Sequence, residues 1–461
     1  MKPLALLVAV LGASVAFADP DITLTGPRTS DFVYEAKSDT VINLSGVTFI
    51  NSRLKLSGNV VFTLNLAEGT TNAFCLGTGD APCVKATKAS DLVITGGGVL
   101  KVLSDRPPQL GLGEKEIDDG LVTCRHLTVA GGETVVVFAG EEPDTACIYL
   151  KGNYRQTAGS LEVVAGKDTS TSRFFGVRIG SKDASFRLDG GVFSSSLGGE
   201  RSRAVDLKKS ASALFAGGRV RADFRGPGGR FVCGGSDLVF TGGDYFFTTN
   251  STPGVTSGRL PTDLAAVKSD AAITISGGTF RADLPLAGSE VFTNDSKTGT
   301  DITVSGGVFD LVAGDDCIHA KGKLRISGGT LRARSTCDDA LDANGGIEIS
   351  GGDIRAYATA SETHGLDVNK GDKLKITGGV VIATDGLGAT PIGAGTPDVG
   401  KVKFVQATSY RPVSTEEYSG RTLTLRGVTN GVPFTVTETL PVFPEKGTFH
   451  LLTSIPGGTP E

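Results

Sequence analysis

The sequence predicts an all-β fold, a right-handed parallel β-helix whose coils stack as a solenoid. Three observations carry this expectation. A short phrase, apolar-x-apolar-Ser/Thr-Gly-Gly-x-apolar-x-Ala, recurs along the chain. Each copy alternates apolar and polar residues on both sides of its glycine pair, the period of a half-buried strand, a sharp turn and a second half-buried strand. Glycine supplies 65 of 461 residues, about twice the usual share, while Trp is 0 and Met is 1. A repeat that cannot bury its own apolar face must stack on copies of itself. The right-handed sense follows from the general crossover preference of parallel strands.

The strongest copies run Ile273–Ala282, Leu324–Ala333, Ile347–Ala356 and Leu374–Ala383. Their neighbours carry a first glycine at Gly96, Gly190, Gly217, Gly242 and Gly306. From Gly306 the first glycines recur at Gly328, Gly351 and Gly378, steps of 22, 23 and 27 residues, and longer steps earlier imply inserted loops. A third strand precedes each phrase, in Asp315–Lys321, Asp338–Asn344 and Thr363–Asn369, stacking Ile318, Leu341 and Leu366, then Ala320, Ala343 and Val368. One column reads Cys83, Gly120, Cys147, Gly176, Ala204, Cys317, Ala340, Gly365, which suggests a position demanding a small residue. The cysteines are then small buried fillers. Disulfides are the alternative, although seven cysteines leave at least one unpaired.

The ends differ from the middle. Met1–Ala18 has the form of a secretory leader, with Lys2 before an apolar run from Leu4 to Val15 and a cut at Asp19. Residues 19–80 are expected to form an N-terminal cap and first irregular coils, and residues 81–384 the β-helix proper. Residues 385–400 form a Gly/Pro-rich linker and residues 401–461 a small β cap or appendage. The expectation is an exported protein at the surface, in the medium or in a periplasm, a monomer without a membrane span. A net charge of -5 gives no case for a nucleic-acid partner.

The best constellation is acidic. Adjacent coils lie roughly 4.8 Å apart, so aligned side chains are near neighbours. Asp315 and Asp316 should face Asp338 and Asp339, with Glu362 close to the next level and Asp342 and Asp367 stacked one column on. Like charges this close repel unless a cation or protons intervene. Oxygen-only ligands on irregular turns favour Ca²⁺. The alternative is that these aspartates cap turn amides. His319 and His364 are read as turn hydrogen-bonders.

On the strand after Gly-Gly an outward column reads Arg221, Arg281, Asp310, Arg332, Arg355, with Arg334 and Tyr357 beside it. Guanidinium groups grip carboxylates and a tyrosine ring packs on a sugar face, so Arg332, Arg334, Arg355 and Tyr357 form a candidate ligand-binding set. A charged strand face kept soluble is the plainer reading. No His-Glu-x-x-His, Walker loop, EF-hand spacing or Gly-x-Ser-x-Gly elbow occurs, and no nucleophile, base and orienting acid assemble in one repeat.

Ile42–Phe49, Leu66–Asn72 and Leu92–Val102, together with the Asp-Asp-x-Ile/Leu-x-Ala and Ser-Gly-Gly coils, resemble a family of secreted bacterial carbohydrate-binding β-helix proteins. The resemblance covers about residues 40 to 385. It implies a pectate-lyase-like fold, bound calcium, and binding of cellulose and pectin-type polysaccharides without established lyase activity. The family's acidic coil turns match Asp118, Asp119, Asp315, Asp316, Asp338 and Asp339. The third copy departs, with Thr363-His364 in place of an acidic pair, and the lack of Trp argues against a flat aromatic strip for crystalline cellulose. An acidic polysaccharide held through Ca²⁺ and arginine is the leading expectation. The competing ones are a polysaccharide lyase, with Lys321, Arg332 or Arg334 near the acidic turns, and a purely structural surface solenoid.

Overall fold

A computed structural model describes residues 22–76, 83–87, 89–105, 120–168, 170–234, 237–249, 263–295, 299–368, 374–386, 409–429 and 432–454. The leader, Asp118, Asp119 and most of the Gly/Pro-rich linker lie outside them. The chain is all-β, and its strands stack as a three-faced parallel solenoid. One face is a 13-stranded sheet, and the other two are parallel ladders merged in a 28-stranded sheet. They merge because the long strand Thr40–Ile50 pairs with both Val61–Leu66 and Thr71–Leu76. Parallel pairing already begins at Ile22–Arg28, so the first coils stack although they lack the Gly-Gly phrase.

The glycine pair has two separate physical causes. The first glycine sits against the coil below. A Cβ on Gly328 would lie 2.5 Å from the Ser305 carbonyl oxygen, and one on Gly351 would lie 2.5 Å from that of Ser327. The second glycine adopts a left-handed backbone, at φ +90° for Gly329 and +96° for Gly352, where L side chains are strained. Together they turn the chain without opening the stack.

Inside, side chains pile up at the strand spacing. Phe215 and Phe240 stack with ring centroids 4.6 Å apart, and Phe280 and Phe309 at 4.8 Å. The register also corrects the small-residue column. Cys83 is followed by Leu121, Cys147, Gly176, Ala204, Phe231, Ala266, Val291, Cys317, Ala340 and Gly365. Leu121 stands where Gly120 was expected, and Phe231 shows that the position accepts any apolar residue its neighbours leave room for. The six cysteines with described side chains are all free thiols, four of them buried. Burial pushes the Cys147 thiol up to about 12, which makes it a small apolar filler.

The C-terminal strands close one face. Thr448–Thr453 pairs antiparallel with Val380–Thr384 and with Ser409–Ser414. Behind it a second apolar cluster gathers Tyr357, Ile382, Tyr418, Leu423 and Phe449. Glu438, 4% exposed, accepts hydrogen bonds from Arg355 Nε at 3.1 Å and from both terminal nitrogens of Arg332 at 3.0 and 3.3 Å. Arg355 also pairs with Asp353.

Two expected outcomes follow from these contacts. Gly351→Ala should lower stability by roughly 2 kcal/mol, since overpacking must push two coils apart. Thermal unfolding reads this, and an unchanged Tm contradicts it. Glu438→Ala leaves a buried guanidinium poorly compensated and should cost roughly 3 kcal/mol by denaturant titration. A change below the error of that measurement would mean the pair contributes nothing to holding the C-terminal strands in place.

Candidate metal centre

On the outer face of the 13-stranded sheet two columns of side chains run along the solenoid. In the middle coils their cations are matched by carboxylates. Arg178 and Arg203 both pair with Asp206, while Asp263 takes Arg230 at 2.7 Å and Lys268 at 3.0 Å, and Lys268 reaches Asp295 at 2.6 Å. Burial works to raise the Asp263 carboxyl, yet Lys268 and Arg230 hold it below its ordinary value. Cations stack on cations here too, Arg203 on Arg230, but each has a carboxylate within reach.

Past Asp295 the pattern reverses. Ile318, Leu341 and Leu366 stack in register, so the turns just before them bring Asp315 and Asp316 onto Asp338 and Asp339, and Asp339 onto His364. Glu290, two residues before Phe292, occupies the same offset one coil earlier. The next outward column stacks His319, Asp342 and Asp367. Three groups of ligand-type atoms result, each within 4.8 Å: Asp315, Asp316 and Asp338; Glu290, Asp316 and His319; Asp339, His364 and Asp367.

Charge here is far from balanced. His319 Nδ1 lies 2.9 Å from Glu290 and 3.5 Å from Asp316, and its Nε2 lies 3.2 Å from Asp342 and 3.3 Å from Lys321 Nζ. His364 Nδ1 lies 3.2 Å from Asp339 and 3.7 Å from Asp367. Against these two imidazoles and one ammonium stand six carboxylates in the groups, with Asp342 and Asp385 beside them. Asp385 is fully buried on the last coil. One of its oxygens accepts the Gly365 amide at 3.0 Å and the other has no partner among the described residues. Asp342 Oδ1 is likewise unpaired.

The consequences for protonation are large. Burial, followed by the charges of Asp342, Asp315 and Glu290, pushes Asp316 up to about 10. Burial and the neighbouring Asp338 raise Asp315 to about 7. Burial, with Asp367 and Asp339 and against the pull of His319, raises Asp342 to about 6. Asp367 and Asp385 are also raised, each chiefly by burial. Burial alone would lower both histidines. The hydrogen bond and charge of Glu290 with the charge of Asp342 raise His319, and those of Asp339 raise His364.

The donor sets differ in kind. Asp315, Asp316 and Asp338 offer oxygen alone, and Asp338 is exposed, which fits a calcium ion reached from solvent. The unpaired oxygens of Asp342 and Asp385 are further acceptors in want of a positive partner. The histidine-containing groups mix nitrogen with oxygen, a set better suited to a transition metal or to protons.

Of the expected metal residues, Asp315, Asp316, Asp338, Asp339, Asp342 and Asp367 come together, and Asp118 and Asp119 lie outside the described residues. Glu362 does not join them. It points to solvent from a left-handed turn at φ +60°. The histidines stand inside the cluster instead of merely bonding their turns. Two members were missed. Glu290 was legible as the residue one coil above Asp316, while Asp385 follows the last copy of the repeat and carries no periodic signal.

The expected ligand-binding set fares differently. Arg355 and Tyr357 are buried, at 2% and 7% exposure, because the C-terminal strands cover that part of the column. Arg332 is tied to Glu438. Arg334 alone remains exposed with no ion pair among the described residues. No helix among the described residues is long and apolar enough to cross a membrane. In comparisons with known proteins, no family model, no curated protein and no solved structure matches this chain.

Raised carboxyl pKa values mean that the cation-free folded chain holds protons the unfolded chain has released. The associated stability is present in full below the ordinary carboxylate range. It is lost as pH rises through about 6 for Asp342, 7 for Asp315 and 10 for Asp316. In chelator, Tm should therefore fall between pH 5 and 8. Asp316→Asn should raise Tm under chelator at pH 8 while shrinking the increase produced by millimolar Ca²⁺. A variant less stable than wild type in chelator would contradict this account of the cluster.

Proposed function

We propose that this protein is an exported, non-catalytic binder of acidic, pectin-type cell-wall polysaccharide whose binding depends on Ca²⁺. In this reading the chain belongs with the carbohydrate-binding β-helix proteins it resembles, and its coils wind right-handed. One observation carries the reading. Upstream on this face each stacked cation meets a carboxylate, Arg178 and Arg203 on Asp206 and Arg230 and Lys268 on Asp263, whereas from Glu290 to Asp367 carboxylates stack on carboxylates with only two histidines and Lys321 against them. A surface that needs only solubility has no reason to stack carboxylates with so few cations against them. A surface that binds a cation does.

Bound there, Ca²⁺ would supply a positive centre able to take a sugar carboxylate as a further oxygen ligand. Asp315, Asp316 and Asp338 would hold it, and the exposure of Asp338 leaves the outer side open to a chain. Asp342 and Asp367 deepen the negative potential beneath. Lys321, its amine beside His319, favours one second reading: a lyase in which that amine takes a proton from a uronate ring.

An affinity gel of polygalacturonate separates these. Wild-type protein should be retained more strongly in millimolar Ca²⁺ than in chelator, and Asp315→Asn with Asp338→Asn should abolish that calcium-dependent part. Absorbance from new double bonds should not rise. Retention indifferent to calcium would sink the binding proposal, and a steady absorbance rise abolished by Lys321→Ala would replace it with the lyase.

A further inference from the structure

The outward column of the other face, after its glycine turns, runs Ser194, Arg221, Phe246, Arg281, Asp310, Arg332, Arg355 in unbroken register. The C-terminal strands take Arg332 and Arg355 out of use, but the upstream part stays open. There, Arg219, Arg221, Phe246 and Arg281 line a surface groove of about 630 Å³. Phe246 is the one aromatic among the large apolar side chains left exposed in the described residues, at 45%. Its ring stands between two arginines, one on the coil before and one on the coil after.

All three arginines are exposed, and none forms an ion pair with a described residue. This is unusual for the molecule, in which Arg125, Arg155, Arg187, Arg225 and Arg325 all pair with carboxylates. Asp244 lies opposite Arg219 in the register and lines the same groove, and Asp310 lies opposite Arg281 just beyond it, so the three guanidinium groups still outnumber the carboxylates beside them. Tyr245 and Phe247 on either side of Phe246 point inward and are buried, which fixes the backbone that presents the ring.

We propose that this groove is a second ligand site, for an anionic sugar chain, and that it works without a cation. It goes beyond the calcium reading and shares with it only the ligand class. Phe246 offers a flat apolar surface for the carbon-bound hydrogens of a sugar ring. Arg221 and Arg281, two coils apart and so roughly 10 Å from each other along the stack, take carboxylates on either side of that ring. A polymer with repeated anionic groups matches a groove that runs along the coil axis. A free monosaccharide spans only part of it.

The test is titration calorimetry with oligogalacturonate in chelator, where the cation site is silent. Wild type should bind, more weakly as salt rises. Phe246→Ala should weaken binding about tenfold, and Arg221→Ala with Arg281→Ala more than tenfold. Neither variant should move Tm, because all three side chains face solvent. The calcium-dependent increment seen on the polygalacturonate gel should survive in both. No binding in chelator would overturn this proposal and leave the calcium reading intact. Loss with the arginine pair but none with Phe246→Ala would also overturn it, reducing the groove to diffuse charge attraction. Chelator-resistant binding in a protein with no calcium-dependent increment would overturn the calcium reading alone.

Discussion

Everything in this molecule depends on the distance between coils. Parallel strands hydrogen-bond at roughly 4.8 Å, and a solenoid imposes that spacing on every atom at equivalent positions. The same constraint reads out differently according to what is stacked. Aromatic rings stacked at this spacing make a core, as Phe215 does on Phe240. Backbone stacked at this spacing at the turns leaves no room for a Cβ, which is why Gly328 and Gly351 are glycine. Like charges stacked at this spacing must find opposite charge beside them, or something else to neutralise them.

The middle and the end of the 13-stranded sheet take these two courses. Arg178 and Arg203 against Asp206, or Arg230 and Lys268 against Asp263, are ion pairs made partly between coils and partly within one. From Glu290 onward the same columns carry carboxylates with two histidines. There burial and mutual repulsion lift Asp316 to about 10 in the absence of a cation. A proton and a divalent cation are alternative solutions to one electrostatic problem, so the two compete. In the proposed reading that competition, more than any individual bond, ties the shape of the solenoid to a ligand.

Much of this was legible in the sequence because a solenoid writes its geometry as period. The Gly-Gly phrase gave the turns, the apolar alternation gave the faces, and the alignment of Ile318, Leu341 and Leu366 placed Asp315 and Asp316 on Asp338 and Asp339. Local reading stopped where long-range packing began. Nothing in the alternation around Arg355 and Tyr357 says that residues some eighty positions later will fold back over them, or that Glu438 will meet the guanidinium. Asp385 was invisible for the same reason: it belongs to the last coil, where the repeat has ended. Leu121 and Phe231 entered a column read as small because a β-helix fills its core by complementarity between levels, so one bulky residue is balanced by the next.

The central claim, that cation and protons compete for one carboxylate stack, is tested most directly by counting the protons that calcium displaces. Calorimetric titration with Ca²⁺ at pH 7, repeated in buffers of different ionisation enthalpy, gives that count. Asp316 should be protonated and Asp315 about half so before the ion arrives, and binding should release roughly one proton or more. Asp316→Asn should remove most of that release. Calcium binding with no proton release, or no calcium binding at all, would contradict the account.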